Sequence, residues 1–138
     1  MYNLERFVEA QERIYDIALN EIKEGFKASH WMWFIFPQVH GLGFSYMAEI
    51  YAISGIEEAR EYLAHPVLGK RLEEISHALL DLDESDPVRI LGGIDAMKLC
   101  SSMTLFHVAC PEKQVFMDVL LKFYDGKTDE KTLEILKQ

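Results

Sequence analysis

Apolar side chains recur at helical spacing along most of the chain, and the first such stripe lies near the N-terminus. It predicts one helix over Leu4–Glu24, which Gly25 ends by providing a left-handed residue. Gln11 interrupts this stripe, and a buried amide needs hydrogen-bond partners. We interpret Gln11 as a tie to a neighbouring backbone; a position lining a pocket is the alternative.

The stretch Ser29–Ser45, SHWMWFIFPQVHGLGFS, departs from the amphipathic pattern and is the densest in aromatic residues. We call it the aromatic segment. Within it, Trp31–Phe36 is too short for periodicity to distinguish a buried strand from a short helix, and Pro37 ends either one. A segment so apolar must be buried, so we expect the other elements to pack around it.

The stretch Ile94–Cys110 is the second departure, because only Asp95 and Lys98 carry a fixed charge there. Its apolar residues cover the whole circumference of a helix rather than one face. A helix that is apolar all round is buried. We therefore expect residues 94–110 to form the central helix of the fold.

Caps and amphipathic patterns predict shorter helices in the rest of the chain. Ser54 begins a capping-box spacing, and His65-Pro66 breaks the chain so that Pro66 opens the next helix. Asp86-Pro87 combines an N-cap with a first-turn proline, and Thr128 caps the last helix. These helices are expected over 45–53, 54–64, 66–82, 87–91, 112–124 and 129–137. The prediction is an all-α single domain, an irregular bundle of about seven or eight helices around the central apolar helix.

The composition is that of one globular domain, with 138 residues, 49% hydrophobic and 27% charged. A net charge of −9 argues against general nucleic-acid binding, which needs basic surface to displace counterions. No apolar run approaches the roughly 20 residues of a membrane span, and the N-terminus lacks the pattern of a signal peptide. We therefore expect a cytoplasmic protein without membrane or nucleic-acid partners, and a homo-oligomer stays open.

The polar side chains of the central helix are the first candidates for chemistry. Asp95, Lys98 and Ser102 stand at i, i+3 and i+7, on one face. A lysine on an apolar helix needs a compensating charge, which Asp95 can supply one turn away. Two interpretations stay open: a structural ion pair near the helix start, or an ammonium that Asp95 orients to bind an anion.

The aromatic segment supplies the other candidates. Trp31 and Trp33 offer faces on which a base or sugar ring could pack, unless both are simply core, and Gln38 offers hydrogen bonds. His30 and His40 are the candidate catalytic acid or base, because histidine titrates near neutrality without a shifted pKa. The five histidines and two cysteines show no metal-ligand spacing, so no metal site is expected and no cofactor is assigned.

Five stretches carry a resemblance to a known family. They are, in chain order, LERFVEAQ at Leu4–Gln11, SHWMWFIFPQ at Ser29–Gln38, GLGFS at Gly41–Ser45, EAREYLAHPVLGKRL at Glu58–Leu72 and DAMKLCSSMTLF at Asp95–Phe106. They span nearly the whole chain and resemble the bacterial family filed as domain of unknown function eighteen-ten, some of whose members carry the misleading label calpastatin. The resemblance implies a mainly α-helical fold and supplies no activity, cofactor or catalytic residue.

These candidates converge on a pocket between the aromatic segment and the central helix. We expect it to bind a small polar or anionic ligand, for example a nucleotide-derived one, with Lys98 at the anion and a tryptophan of the aromatic segment against a ring. Gln38, His30 and Ser102 would orient the ligand through hydrogen bonds. If the protein is an enzyme, a hydrolase or transferase is the expected class. The rival hypothesis is a non-enzymatic interaction module or a homo-oligomerising domain.

Overall fold

The structure, a computed structural model, describes residues 2–137, which form helices joined by short loops. The ten helices of this range are α1 (Glu5–Gln11), α2 (Tyr15–Glu24), α3 (Met32–Ile35), α4 (Tyr46–Ile50), α5 (Ile56–Ala64), α6 (Leu68–Leu80), α7 (Pro87–Leu91), α8 (Gly93–Ala109), α9 (Gln114–Tyr124) and α10 (Glu130–Leu136). An isolated parallel bridge joins Val39 to Ile53. The predicted all-α class is confirmed, with more helices than the seven or eight expected.

The additional helices arise partly because the single helix expected over Leu4–Glu24 is divided in two. After α1, the backbone N–H groups of Glu12 and Ile14 donate to carbonyls three residues back, so the chain tightens into a turn before α2 begins at Tyr15. The apolar stripe runs through both helices, so hydrophobic spacing alone does not reveal the turn. As predicted, Gly25 ends α2 with a left-handed backbone at φ 81°.

Gln11, the last residue of α1, ties this helix to two other elements. Its buried amide nitrogen donates to the Phe34 carbonyl at 2.7 Å and to the Tyr62 hydroxyl at 3.0 Å. The interpretation of Gln11 as a tie to a neighbouring backbone is therefore confirmed. Burial raises the pKa of Tyr62, so its hydroxyl stays neutral and can accept this bond.

Local polar contacts determine where several helices begin. At α7, the Asp86 side chain accepts a hydrogen bond from the backbone N–H of Val88 at 2.9 Å, and Pro87 occupies the first turn, as the sequence predicts. The capping box predicted at α5 is wrong. The backbone N–H of Ser54 instead donates to Glu58 Oε1 at 2.8 Å, one residue beyond the capping-box spacing.

The start of α6 also differs from the expectation at Pro66. His65 Nδ1 accepts hydrogen bonds from the backbone N–H groups of Val67 and Leu68, at 3.1 and 3.3 Å. These contacts satisfy donors that begin a helix, so the imidazole serves as the cap and α6 starts at Leu68. The proline therefore precedes the helix instead of opening it.

The predicted central helix is present as α8, the longest of the described helices, which packs against α5, α7, α9 and α10. Most of its second half is buried in the core. Burial all round is nevertheless wrong for its first turns, because Ile94 is 75% exposed and Met97 is 72% exposed. These two side chains lie beside a surface groove between α8 and the aromatic segment.

The crossing of α5 and α6 depends on the absence of a side chain at Gly69. A Cβ built there would lie 2.0 Å from the carbonyl oxygen of Leu63, far inside contact distance. Glycine therefore lets the first turn of α6 approach the end of α5 closely.

Gly69→Ala is expected to lower the free energy of unfolding by about 3 kcal/mol, because the added methyl group must displace backbone atoms. Chemical denaturation followed by circular dichroism measures this change. Gly93→Ala is the matched control: a Cβ there meets nothing within 4 Å, and the position is already helical. Equal stability of Gly69→Ala and the parent would contradict the close approach of the two helices.

Candidate functional site

A buried carboxylate holds the start of the aromatic segment in place. Oε1 of Glu21, on α2, accepts hydrogen bonds from the backbone N–H groups of Ala28 and Ser29, at 2.9 and 3.0 Å. The same oxygen accepts from Trp31 Nε1 at 2.9 Å, and Oε2 accepts from the Ser29 hydroxyl at 2.6 Å. The loop that follows α2 is therefore fixed to the helix that precedes it.

The hydrogen bonds determine the ionisation of Glu21. Burial raises the pKa of a carboxyl group, but the donors of Ser29, Trp31 and Ala28 together outweigh burial and lower the pKa of Glu21 from 4.5 to about 2. Glu21 is therefore an anion throughout the neutral range, and its charge is matched by hydrogen bonds within the protein.

Three charged side chains lie between the aromatic segment and α8. Asp95 Oδ2 is 2.8 Å from Lys27 Nζ, and Asp95 Oδ1 is 3.9 Å from Lys98 Nζ. Each ammonium also faces an indole, since Lys27 Nζ is 5.0 Å from the Trp31 ring centroid and Lys98 Nζ is 5.2 Å from that of Trp33. Two cations therefore share one carboxylate here.

The two lysines differ in their access to solvent. The Lys27 side chain is 7% exposed and lies in the closer contact with Asp95, whereas the Lys98 side chain is 25% exposed. The expected pair of Asp95 with Lys98 is therefore present but long. Lys27 is the main structural partner of Asp95, and Lys98 remains available to other groups.

A groove of about 560 Å³ opens beside Lys98, between the end of the aromatic segment and the first half of α8. We call it the α8 groove. It is lined by Gln38, Leu42, Gly43, Phe44, Ser45, Ala48, Ile94, Met97, Lys98, Ser101, Asp129 and Lys131. A concave surface with apolar walls and a few polar groups is typical of small-molecule sites.

The charged and hydrogen-bonding side chains of the α8 groove come from separate parts of the chain. They are Gln38 and Ser45 from the aromatic segment, Lys98 and Ser101 from α8, and Asp129 and Lys131 at the start of α10. Ser101 Oγ donates to Asp129 Oδ2 at 3.0 Å, so the two polar walls are joined by a hydrogen bond. The groove therefore presents both cations and a carboxylate to a ligand.

Several residues singled out from the sequence lie together at this groove. Gln38 and Lys98 line it, and Asp95 lies beside it as a partner of Lys98. Trp33 is half-buried, with its ring against the Lys98 ammonium. These four residues form the part of the predicted site that the structure brings together.

The structure places the remaining candidates elsewhere. Trp31 and Ser102 are fully buried, so neither presents surface to a ligand in the α8 groove. His30 and His40 are exposed and do not line the groove. Trp31 instead contributes to the core and to the hydrogen bonds of Glu21.

The sequence pattern does not reveal that Asp129 and Lys131, far from Lys98 along the chain, line the groove. Thr128 was the expected cap of the last helix, but Asp129 caps α10, since its Oδ2 accepts from the backbone N–H of Thr132 at 3.2 Å. Ser101, which also lines the groove, is different. It follows Lys98 by three residues, a spacing that places both on one helix face, so the sequence contains a signal for it.

The two cysteines are not bonded to each other. Cys100 and Cys110 are free, and burial raises the pKa of Cys100 to about 11, so this thiol stays protonated near neutrality.

Within residues 2–137, no group of three or more His, Cys, Asp or Glu side chains is arranged to hold a metal ion. No described helix has both the length and the apolar character to cross a membrane.

Comparison with known proteins places these features in a wider context. A family model described as protein of unknown function (DUF1810) matches residues 1–136. Among solved structures, the chain is similar to the conserved hypothetical protein Rv1873 from Mycobacterium tuberculosis, at 44% sequence identity and a TM-score of 0.96. The match covers 98% of this chain and 96% of that chain. None of the curated proteins matches.

Protonation of Glu21 is expected to destabilise the fold in acid. Because the folded-state pKa lies below the ordinary 4.5, the stabilisation is complete above that pH and is lost as the pH falls toward 2. Glu21→Gln should cost about 2 kcal/mol at neutral pH and flatten the acidic limb, since a neutral amide oxygen accepts hydrogen bonds more weakly and its NH2 group faces the Ser29 hydroxyl in place of Oε2. Chemical denaturation across this pH range tests both effects, with Glu24→Gln on the exposed last turn of α2 as control. Parallel pH curves for parent and Glu21→Gln would contradict the assignment.

Proposed function

Because this chain belongs to the DUF1810 family of proteins of unknown function, we propose its function from the α8 groove itself: it binds a small anionic ligand that also carries an apolar or ring portion. A nucleotide-derived ligand has both parts. The descriptions of the family and of its structural relative name no ligand and no activity. The observation that supports the proposal is the position of Lys98 between a shared carboxylate and the groove.

Lys98 is suited to meet the anionic part of the ligand. Its ammonium is 3.9 Å from Asp95 Oδ1, a contact too long for a strong hydrogen bond, while Lys27 holds the other oxygen of Asp95 at 2.8 Å. The charge of Lys98 is therefore not fully compensated within the protein. An anion in the groove can bind this ammonium without breaking a close ion pair, and Lys131 adds a second positive charge to the same groove.

Exposed apolar side chains would accept the other part of the ligand. Phe44, Ile94 and Met97 line the groove and are all largely exposed. Covering this surface with a ring would stabilise the complex by roughly 25 cal/mol per Å² of apolar surface removed from water. The ring partner in this proposal is therefore Phe44 or Met97 rather than a tryptophan.

Turnover of the ligand, as a hydrolase or transferase would achieve, has to use groups that reach the groove. His30 and His40 do not line it, so they supply no acid or base in the geometry described here. We therefore propose binding for the groove. A hydrolase or transferase activity stays a prediction from the sequence alone.

The cytoplasmic location expected from the sequence is part of the same proposal, and the free thiols of Cys100 and Cys110 agree with a reducing compartment.

Lys98→Met is expected to weaken the binding of adenosine monophosphate about tenfold or more, because it removes a charge-assisted hydrogen bond. Isothermal titration calorimetry with the parent and the variant measures the change. Lys70→Met removes the same charge from an exposed position of α6 and should leave the affinity unchanged. Failure of the parent to bind the nucleotide, or equal affinities of the parent and Lys98→Met, would refute the proposal.

One observation favours the rival function, an interaction module that pairs with a second copy of the chain. Phe44, Tyr46, Ile94 and Met97 are large apolar side chains, all strongly exposed, and three of them line the same groove. Exposed apolar surface concentrated at one place often marks a protein interface. Trp31 plays no part in this version, because it is fully buried.

On this second proposal, the parent self-associates and Met97→Glu shifts it toward the monomer, since a charge would be buried in the interface. Sedimentation velocity over a range of concentrations measures the effect. Leu121→Glu is the control, because Leu121 is also exposed but belongs to α9 and does not line the groove. A parent that sediments as a monomer at every concentration would rule out self-association as the function.

A further inference from the structure

The carboxylate of Asp129 is held in a fixed orientation at the α8 groove. Its Oδ2 accepts hydrogen bonds from Ser101 Oγ at 3.0 Å, from the backbone N–H of Thr132 at 3.2 Å and from Thr132 Oγ1 at 2.5 Å. The backbone N–H of Asp129 donates to Thr104 Oγ1 at 2.9 Å. Contacts to two helices therefore orient this side chain.

The other oxygen, Oδ1, has no such partners. Within residues 2–137, the hydrogen bonds that the Asp129 carboxylate accepts all go to Oδ2 and none goes to Oδ1. Asp129 lines the α8 groove and also a neighbouring cavity of about 340 Å³, which shares Met97 and Ser101 with it. An ionised carboxylate can only accept hydrogen bonds, so Asp129, which lines both cavities, keeps one acceptor oxygen that the described residues do not use.

The charges of the groove restrict which anions fit. Lys98 and Lys131 attract an anion, whereas Asp129, in the same groove, repels it. A simple anion such as phosphate meets both effects. A ligand that carries a hydroxyl or amine donor some distance from its anionic group satisfies the lysines and the carboxylate together.

We infer that Asp129 is a specificity-determining residue that accepts a hydrogen bond from a hydroxyl group of the ligand, so that the groove selects hydroxylated anions of the sugar-phosphate class, ribonucleotides among them. This inference rests on the proposed function of the groove. Carboxylates read ribose hydroxyls by the same chemistry in dinucleotide-binding folds. A site built to bind a hydroxyl group discriminates against the analogue that lacks it, because the acceptor is left without a partner.

The test compares adenosine monophosphate with its 2′,3′-dideoxy analogue by isothermal titration calorimetry. The parent is expected to bind the ribonucleotide about tenfold more tightly, the effect of one hydrogen bond to a charged acceptor. Asp129→Asn should reduce this preference to about twofold, because its oxygen stays with the donors that hold Oδ2 and its NH2 group, a donor, replaces the free acceptor Oδ1. Asparagine is as good an N-cap as aspartate, so α10 should be retained.

The same titrations separate this inference from the proposed function. Lys98→Met should weaken the binding of both nucleotides by the same factor and leave the preference for the ribonucleotide unchanged. Equal affinity of the parent for both nucleotides, or an unchanged preference in Asp129→Asn, overturns the role of Asp129 while the anion site stands. Equal affinities of the parent and Lys98→Met for adenosine monophosphate overturn the anion site instead. The comparison of the two nucleotides on the parent needs no variant, so equal affinity there overturns the inference even if Asp129→Asn does not fold.

Discussion

The position of the aromatic segment depends on the buried carboxylate of Glu21. A charge removed from water is costly unless hydrogen bonds replace its hydration, and Glu21 obtains four of them from the loop that follows its own helix. That loop brings Lys27 to Asp95 of α8 and turns the Trp31 ring into the core. The contacts of Glu21 thus place the aromatic segment against α8. Because Lys27 is the closer partner of Asp95, the Lys98 ammonium remains available to a ligand in the groove.

Structural contacts of two kinds determine the charges of the groove. The positive charge near Lys98 exists because a second lysine, distant along the chain, satisfies the shared carboxylate. The groove also contains Asp129, whose Oδ2 caps α10, while Oδ1 accepts no hydrogen bond from residues 2–137. Structural contacts on both sides therefore determine which charges remain for a ligand. The same residues that stabilise the ends of helices establish the chemical character of the cavity.

Much of the fold can be predicted from the sequence, because helical periodicity and caps are local properties. Asp86-Pro87 starts α7 as predicted, and the apolar stretch near residue 100 forms the central helix. Lys98 and Gln38 were identifiable because polar side chains are unusual in such apolar surroundings. Contacts between distant segments were not predictable: nothing local to Glu21 indicates that a later loop encloses it. The exposure of Met97 was missed for the same reason, since it depends on where neighbouring elements end.

Met97 is part of the wall of both the α8 groove and the neighbouring cavity. A methionine side chain is unbranched and has three rotatable bonds, so its rotamers interconvert at little cost when it is exposed. The division between the two cavities therefore includes a movable thioether beside Ser101 and Asp129, which hold each other by a hydrogen bond. The volume that these cavities offer to a ligand therefore varies with the torsion angles of Met97.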